Sequence, residues 1–170
     1  MHFSFQAKQN KLLINLFKKD QLQRRLYRLE KITKERLQKS DFRIAKNFKL
    51  YLKKYGFPYN DEVNRQKYKI GVTLILHLPL KDFKKIVLHL LKSKENQVLP
   101  FDKAYFIDRL RVYEKKPQLY GTQFHLDKSR ILPFPIYQPK KLGLRRRKMG
   151  LGSYGVYKTK MKKILKKDQK

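Results

Sequence analysis

LKDFKKIVLHLLK, residues 80–92, is the stretch that decides the fold. Phe83, Ile86, Val87, Leu90 and Leu91 recur at the three- and four-residue spacing of one helix face, and lysines occupy the opposite face. The pattern predicts an amphipathic helix whose apolar side packs against a core.

Helices are also predicted upstream of this stretch. Apolar stripes within 12–17 and 22–29 indicate a helix that bends or breaks at the polar residues 18–21. Ser40 and Asp41 are a plausible N-cap for the next helix, which is predicted to stop at Gly56. The apolar run 68–78 is compatible with a buried helix or a buried strand, and we favour a helix paired with residues 80–92.

The pattern changes downstream. Pro100 is typical of the first turn of a helix, which should continue to Val112. Residues 118–126 then alternate like a strand, a turn is expected at 127–129, and residues 130–137 return as an edge strand because they contain prolines. A last helix is expected over 154–170. We therefore expect a mainly α fold: a compact helical domain over 1–157 with one small β-hairpin at about 118–137, and a basic C-terminal helix over 158–170.

The composition is dominated by positive charge. There are 44 Lys and Arg against 13 Asp and Glu, which gives a formal net charge of +31 in 170 residues, yet 11 Tyr and 11 Phe supply material for a core. Such a charge favours a polyanionic partner, and nucleic acid is the commonest one. A lysine-rich solvated face without any partner is the alternative.

The absence of cysteine excludes a disulfide scaffold, a thiolate metal site and a cysteine nucleophile. The four histidines include no pair at helical ligand spacing, so no metal and no cofactor are expected. The longest apolar stretch, 70–80, is short against the roughly 20 residues of a membrane span, and the first residues lack an apolar signal region. The expectation is a cytoplasmic protein.

An ordered set of short motifs extends across the second half of the chain. Asp-Arg at 108–109 leads into QLYGTQ at 118–123, then Pro-Ile at 135–136 and Arg-Arg-Arg with Met-Gly-Leu at 145–151. Three further elements precede them in the chain: Asp20-Gln21 with Arg24, Tyr-Gly-Phe-Pro at 55–58, and His77. This set resembles the bacterial proteins of the domain of unknown function 6624 family, over about 12–157. The chain departs from the family in lacking acidic residues after Pro-Ile and in being so basic. The resemblance implies a largely helical fold and supplies no activity.

Polar residues within apolar elements need partners, so they tend to converge. Five such residues form a candidate pocket for a small anionic substrate: His77, Asp108, Arg109, Tyr120 and Gln123. Asp20, Gln21 and Thr122 belong to the same polar set. A histidine beside a carboxylate can transfer protons, and an arginine can bind an anion bidentately. The same convergence is equally typical of a structural network, which we favour, so whether the chain is an enzyme stays open.

The strongest functional prediction concerns the basic residues near the C-terminus. They predict non-specific nucleic-acid binding through phosphate contacts, because no sequence-reading motif accompanies them. The candidate residues are Lys140, Lys141, Arg145, Arg146, Arg147, Lys148, Lys158, Lys160, Lys162 and Lys163. A second basic surface over 18–31, and attachment of the C-terminal helix to anionic lipid, are weaker alternatives.

Overall fold

The computed structural model describes residues 2–60, 64–94, 97–127 and 130–168. The chain divides into two compact units, Met1–Val98 and Leu99–Lys170. Helices dominate both units, and the strands described form one two-stranded hairpin, which confirms the predicted mainly α fold. No helix in these described ranges is long and apolar enough to cross a membrane.

In the described residues of the first unit there are four helices: α1 (His2–Arg28), α2 (Lys34–Tyr55), α3 (Arg65–Leu76) and α4 (Leu80–Leu90). Helix α1 packs against α2 and α3, and α3 packs against α4. The core contains Leu13, Phe48, Tyr68, Ile75 and Phe83, whose side chains are at most 1% exposed. The predicted helices at 68–78 and 80–92 are therefore confirmed as α3 and α4.

Helix α1 is continuous, so the predicted break at residues 18–21 is wrong. Lys18 and Lys19 are exposed as that polar run suggested, but Asp20 is buried and bonded to side chains. A partnered carboxylate is compatible with an unbroken helix, since the helix loses no stability by burying it.

Helix α2 begins earlier than predicted. Thr33 is its N-cap, and the Thr33 hydroxyl accepts a hydrogen bond from the backbone N–H of Arg36 at 3.3 Å. Ser40 and Asp41 lie inside the helix, so their predicted capping role is wrong: burial of Leu37 makes the preceding turn part of α2. The predicted end at Gly56 is confirmed, because Gly56 has a φ of 75° and donates its N–H to the Leu52 carbonyl.

The second unit contains α5 (Pro100–Tyr113), β1 (Phe124–Asp127), β2 (Arg130–Pro133), a 3-10 turn (Pro139–Lys141), α6 (Leu142–Lys148) and α7 (Tyr154–Asp168). Helix α5 confirms the prediction from Pro100. Helix α7 contacts β2 and α6, and α6 contacts the 3-10 turn. Helix α6 was not predicted. Helix α7 runs without interruption across the boundary expected after residue 157.

The hairpin is shorter than the predicted span of 118–137. Its antiparallel register pairs Phe124 with Pro133 and Asp127 with Arg130, and the predicted turn falls partly on residues 128–129, outside the described ranges. Gln118 and Ile136 form only an isolated parallel bridge. Residues 118–123 instead form a loop whose polar groups are satisfied by side chains, as described below.

Candidate functional site

A buried carboxylate organises the polar cluster of the first unit. The Asp20 side chain is 1% exposed and accepts hydrogen bonds from Gln21 Nε2 at 2.8 Å and Arg24 Nε at 3.1 Å. His77, which follows the last turn of α3, places Nδ1 2.8 Å from Asp20 Oδ2. The cluster therefore joins α1 to the C-terminal end of α3.

Arg24 extends this cluster to α2. Its Nη2 lies 2.9 Å from Asp41 Oδ1, so one guanidinium contacts carboxylates on two helices. Burial by itself would raise the pKa of Asp20, but the hydrogen bond and charge of His77, together with Arg24, hold that pKa below its ordinary value of 3.8. For Asp41 burial prevails over the Arg24 charge, and its pKa is raised.

The Asp20–His77 contact has a definite chemical consequence. A carboxylate that binds Nδ1 fixes the orientation of the imidazole, and a quarter of the His77 side chain is exposed. An oriented, partly exposed imidazole is the arrangement that general acid–base catalysis uses. It is also an ordinary structural contact between helices.

A second buried carboxylate, Asp108 in α5, organises the loop that follows α5. Asp108 Oδ1 accepts from the backbone N–H of Leu119 at 2.7 Å and of Tyr120 at 3.0 Å. Asp108 Oδ2 accepts from the N–H of Thr122 at 2.9 Å and from its hydroxyl at 3.0 Å. The carboxylate thus supplies the acceptors that a strand ladder would otherwise supply to this loop.

Gln118 completes the same network and is fully buried. Its Nε2 donates to the carbonyls of Gln123 and Phe134 at 3.0 and 2.8 Å, and its Oε1 accepts from the Gln123 N–H at 2.8 Å. The Gln123 side chain in turn donates to the Thr122 hydroxyl. The Gln118 amide therefore adds to the backbone hydrogen bonds that join residues 118–123 to residues 134–137.

Gly121 lies at the tightest point of the loop. Its φ is 69°, and a Cβ atom there would lie 2.8 Å from the Tyr154 ring. Glycine is required for both reasons, because other residues are strained at positive φ and would collide with the ring.

The five residues of the candidate pocket belong to different units. His77 lies in the first unit beside Asp20, and the other four lie in the second. Asp108 binds the backbone of 119–122, and Arg109 donates to the Tyr113 hydroxyl at 2.7 and 3.1 Å. Burial, and then the Asp108 charge, raise the pKa of Tyr120, although Arg145 lowers it. The observed bonds of Asp108 and Gln123 serve the chain itself.

Two of the predicted basic residues also serve the chain itself. Arg146 is 2% exposed and donates to the carbonyls of Tyr120 at 2.6 Å and Gly152 at 2.8 Å, with its guanidinium over the ring of Tyr157. Arg145 donates to the carbonyls of Leu119, at 2.7 Å, and Tyr137. Together they fasten α6 to the loop after α5. The sequence has four consecutive basic residues at 145–148 and does not indicate which of them is buried.

Tyr157 lies on the same internal face. Its hydroxyl donates to the Thr122 carbonyl at 3.2 Å, and burial together with Tyr105 raises its pKa strongly. Its ring also packs edge to face against Tyr105 and Phe124.

The other eight predicted basic residues face solvent to a large degree. Lys158 is partly buried, whereas seven others are exposed: Lys140, Lys141, Arg147, Lys148, Lys160, Lys162 and Lys163. None of the eight forms an ion pair with a described residue. No Asp or Glu occurs between Asp127 and Asp168, so the sequence around them offers no carboxylate.

In the ranges that the structure describes, no group of three or more His, Asp or Glu side chains could hold a metal ion.

Comparisons with known proteins found no match for this chain: no family model, no curated protein and no solved structure matches it. The resemblance to the domain of unknown function 6624 family stays a prediction.

Proposed function

We propose that this protein binds nucleic acid in the cytoplasm, without sequence preference, through phosphate contacts of one basic surface. We define the basic surface as the eight solvent-facing residues described above: Lys140, Lys141, Arg147, Lys148, Lys158, Lys160, Lys162 and Lys163. The observation that carries the proposal is that these cations have no carboxylate partner in the described ranges, while Arg145 and Arg146 hold their elements in place.

The arrangement of elements supports a shared surface. Helix α6 contacts both α7 and the 3-10 turn that carries Lys140 and Lys141, so the three basic segments are neighbours within the second unit. Cationic side chains without a carboxylate partner can contact phosphates directly, and these contacts release the condensed counterions of the nucleic acid into solution. Phosphate contacts position a nucleic acid but do not read its bases, which is why no sequence preference is proposed.

The direct test is binding of a labelled 20-base-pair duplex and of a single-stranded RNA to the full chain, measured by fluorescence anisotropy at several salt concentrations. If all eight cations contact duplex phosphates, the logarithm of the affinity should fall with the logarithm of the salt concentration with a slope near about −7. Affinity that does not change between about 50 and about 300 mM NaCl contradicts the proposal.

A charge-matched pair of variants separates the basic surface from the overall charge. The triple variant K160Q/K162Q/K163Q should reduce the size of the slope by about 3, because each lost contact removes about 0.9. The control K39Q/K46Q/K53Q removes the same charge from exposed positions of α2 in the other unit. Equal effects of both triples would show that net charge alone drives binding.

The Asp20–His77 contact favours a second candidate function, acid–base catalysis on a small anionic substrate with His77 as the proton-transferring group. This candidate rests on the oriented imidazole and replaces the pocket predicted from the sequence, since Asp108 and Gln123 bind the chain itself. The test is hydrolysis of the anionic ester p-nitrophenyl phosphate by wild type and H77Q. Equal rates in the two proteins, both folded by circular dichroism, would remove the candidate for this ester class.

We also propose that the chain is a divergent member of the domain of unknown function 6624 family. The support is that the motif residues Asp108, Gln118, Gly121 and Thr122 form one network, as a fold signature should. A structure of a family member should contain an Asp that caps the Gln-x-Tyr-Gly-Thr-Gln loop in the same way. A loop bonded differently would contradict the assignment.

A further inference from the structure

The first unit contains a cavity of about 730 Å³ that is separate from the Asp20 cluster and from the basic surface. It lies between the C-terminal half of α2, the segment that follows Gly56, and α4. Leu52, Phe57, Ile86 and Leu90 contribute apolar lining. Both the volume and the apolar lining are typical of small-molecule sites, which span about 300–1,000 Å³.

The polar groups of the cavity are few and unequal in charge. Lys49 Nζ lies 2.9 Å from both carboxylate oxygens of Asp82, so these two charges compensate each other. Lys85 and His89 are exposed, stand four residues apart on α4, and form no ion pair with a described residue. Among the residues that the structure describes, the mouth of the cavity therefore carries an excess of positive charge next to an apolar interior.

The wall opposite α4 is aromatic and open. Phe57 and Tyr59 pack edge to face with ring centroids 5.3 Å apart. The positive φ of Gly56 turns the chain out of α2 at this point, and no described atom beyond the adjacent residues 55 and 57 lies within 4 Å of where its Cβ would be. Gly56 and the two aromatic residues all line the cavity.

We propose that this cavity binds a small amphipathic carboxylate, with its acyl chain or aromatic ring between Phe57 and Ile86 and its carboxylate beside Lys85. Apolar surface favours burial of the hydrocarbon part. The ammonium at the mouth selects an anionic head group over a neutral one. A nucleic acid strand does not satisfy an apolar interior, so this site is distinct from the basic surface and independent of the function proposed above.

The test compares two probes that share a hydrocarbon chain but differ in charge. Octanoate and octanol are titrated into the full chain, and binding is followed by amide chemical shifts in heteronuclear NMR spectra at fixed ionic strength. Octanoate should saturate at one equivalent and shift residues 52–59 and 82–90. Octanol should shift the same residues but bind about fivefold more weakly, because it lacks the ion pair.

Matched variants on α4 test each half of the site. I86W places a larger side chain at a half-buried lining position and should weaken both probes at least about tenfold, whereas L88W, at an exposed position of the same helix, should leave both unchanged. K85Q should remove the advantage of octanoate over octanol, whereas K81Q, outside the lining, should preserve it.

Three results overturn the proposal. They are octanoate shifts spread over lysines of the whole chain, binding unaffected by I86W, and equal loss of octanoate affinity in K85Q and K81Q. The first or third would mean that the overall charge attracts the anion, and the second that the cavity is not the site. None of these results bears on nucleic-acid binding by the second unit.

Discussion

At the scale of single residues, two buried carboxylates stabilise the two units in different ways. The negative charge of Asp20 is compensated by the side chains of Arg24 and His77. The negative charge of Asp108 is compensated by backbone N–H groups within 119–122. Either partner set compensates the desolvation of a buried charge. Loss of the charge should therefore be costly in both places.

For Asp20 the lowered pKa determines the sign of the pH effect. A carboxyl whose folded pKa lies below its unfolded value contributes stability above the unfolded pKa, and this contribution is lost as pH falls through the folded pKa. Replacing Asp20 with Asn should lower the free energy of unfolding by about 3 kcal/mol at pH 7. The difference between wild type and D20N should shrink as pH falls below about 4.

The measurement is urea denaturation of both proteins between pH 7 and pH 3. The difference between the two proteins is the informative quantity, because carboxyl groups that do not interact with Asp20 contribute equally to both. A difference that stays constant with pH would contradict a charged Asp20 in the folded state.

For Asp108 the prediction concerns acceptor number. An asparagine offers one side-chain oxygen, so D108N leaves some of the backbone N–H groups of Leu119, Tyr120 and Thr122 without their acceptor and should lower the free energy of unfolding by about 2–4 kcal/mol. Urea denaturation measures this loss. E114Q, which alters a surface ion pair with Lys116, should cost less than about 1 kcal/mol.

At the scale of elements, the start of α2 distinguishes the structure from the sequence prediction. Thr33 is the N-cap, so T33A should lower the free energy of unfolding by about 1 kcal/mol. Ser40 lies inside the helix, so S40A should leave stability unchanged or raise it by a few tenths of a kcal/mol through higher helix propensity. Thermal and urea denaturation of the two variants give the comparison. The reverse ranking would restore Ser40 as the cap.

Helix α6 illustrates a second limit at this scale. Its seven residues are too short to form an isolated helix, and four of them are consecutive basic residues. The helix exists because Leu142 and Arg146 are buried and because Arg145 and Arg146 bind carbonyls of distant loops. Periodicity has no access to such contacts, so the prediction included the other six helices, with a break in α1 and a late start for α2, but not α6.

At the scale of the whole molecule, the charge of +31 opposes folding through self-repulsion. Raising NaCl from about 20 mM to about 300 mM should therefore raise the thermal midpoint of the full chain by on the order of 5 °C, because screening weakens the repulsion. Differential scanning fluorimetry follows the change, with an equal osmolarity of glycerol as control. A midpoint that falls with added NaCl would mean that attractive ion pairs outweigh the repulsion.

The residues of the candidate sites also divide into those that the sequence identified and those whose partners only the tertiary structure shows. The basic residues within 140–163 were identified from the sequence because a cluster of Lys and Arg can be read directly from it. Most of them are exposed. His77 was identified as a candidate, but it was grouped with Asp108, because the sequence does not show which carboxylate it contacts. That carboxylate is Asp20, 57 residues away, and sequence spacing contains no information about such a pair.

By itself the sequence determined the helical class, six of the seven α-helices that the structure describes, the stop at Gly56 and the excess of positive charge, because periodicity, chain-breaking residues and composition act locally. The tertiary structure alone decided the continuity of α1, the start of α2, the partner of each buried carboxylate and the burial of Arg146 among exposed basic neighbours. The physical reason is that burial and hydrogen bonding depend on residues brought together from distant parts of the chain, and their energies exceed the local preferences that a sequence displays.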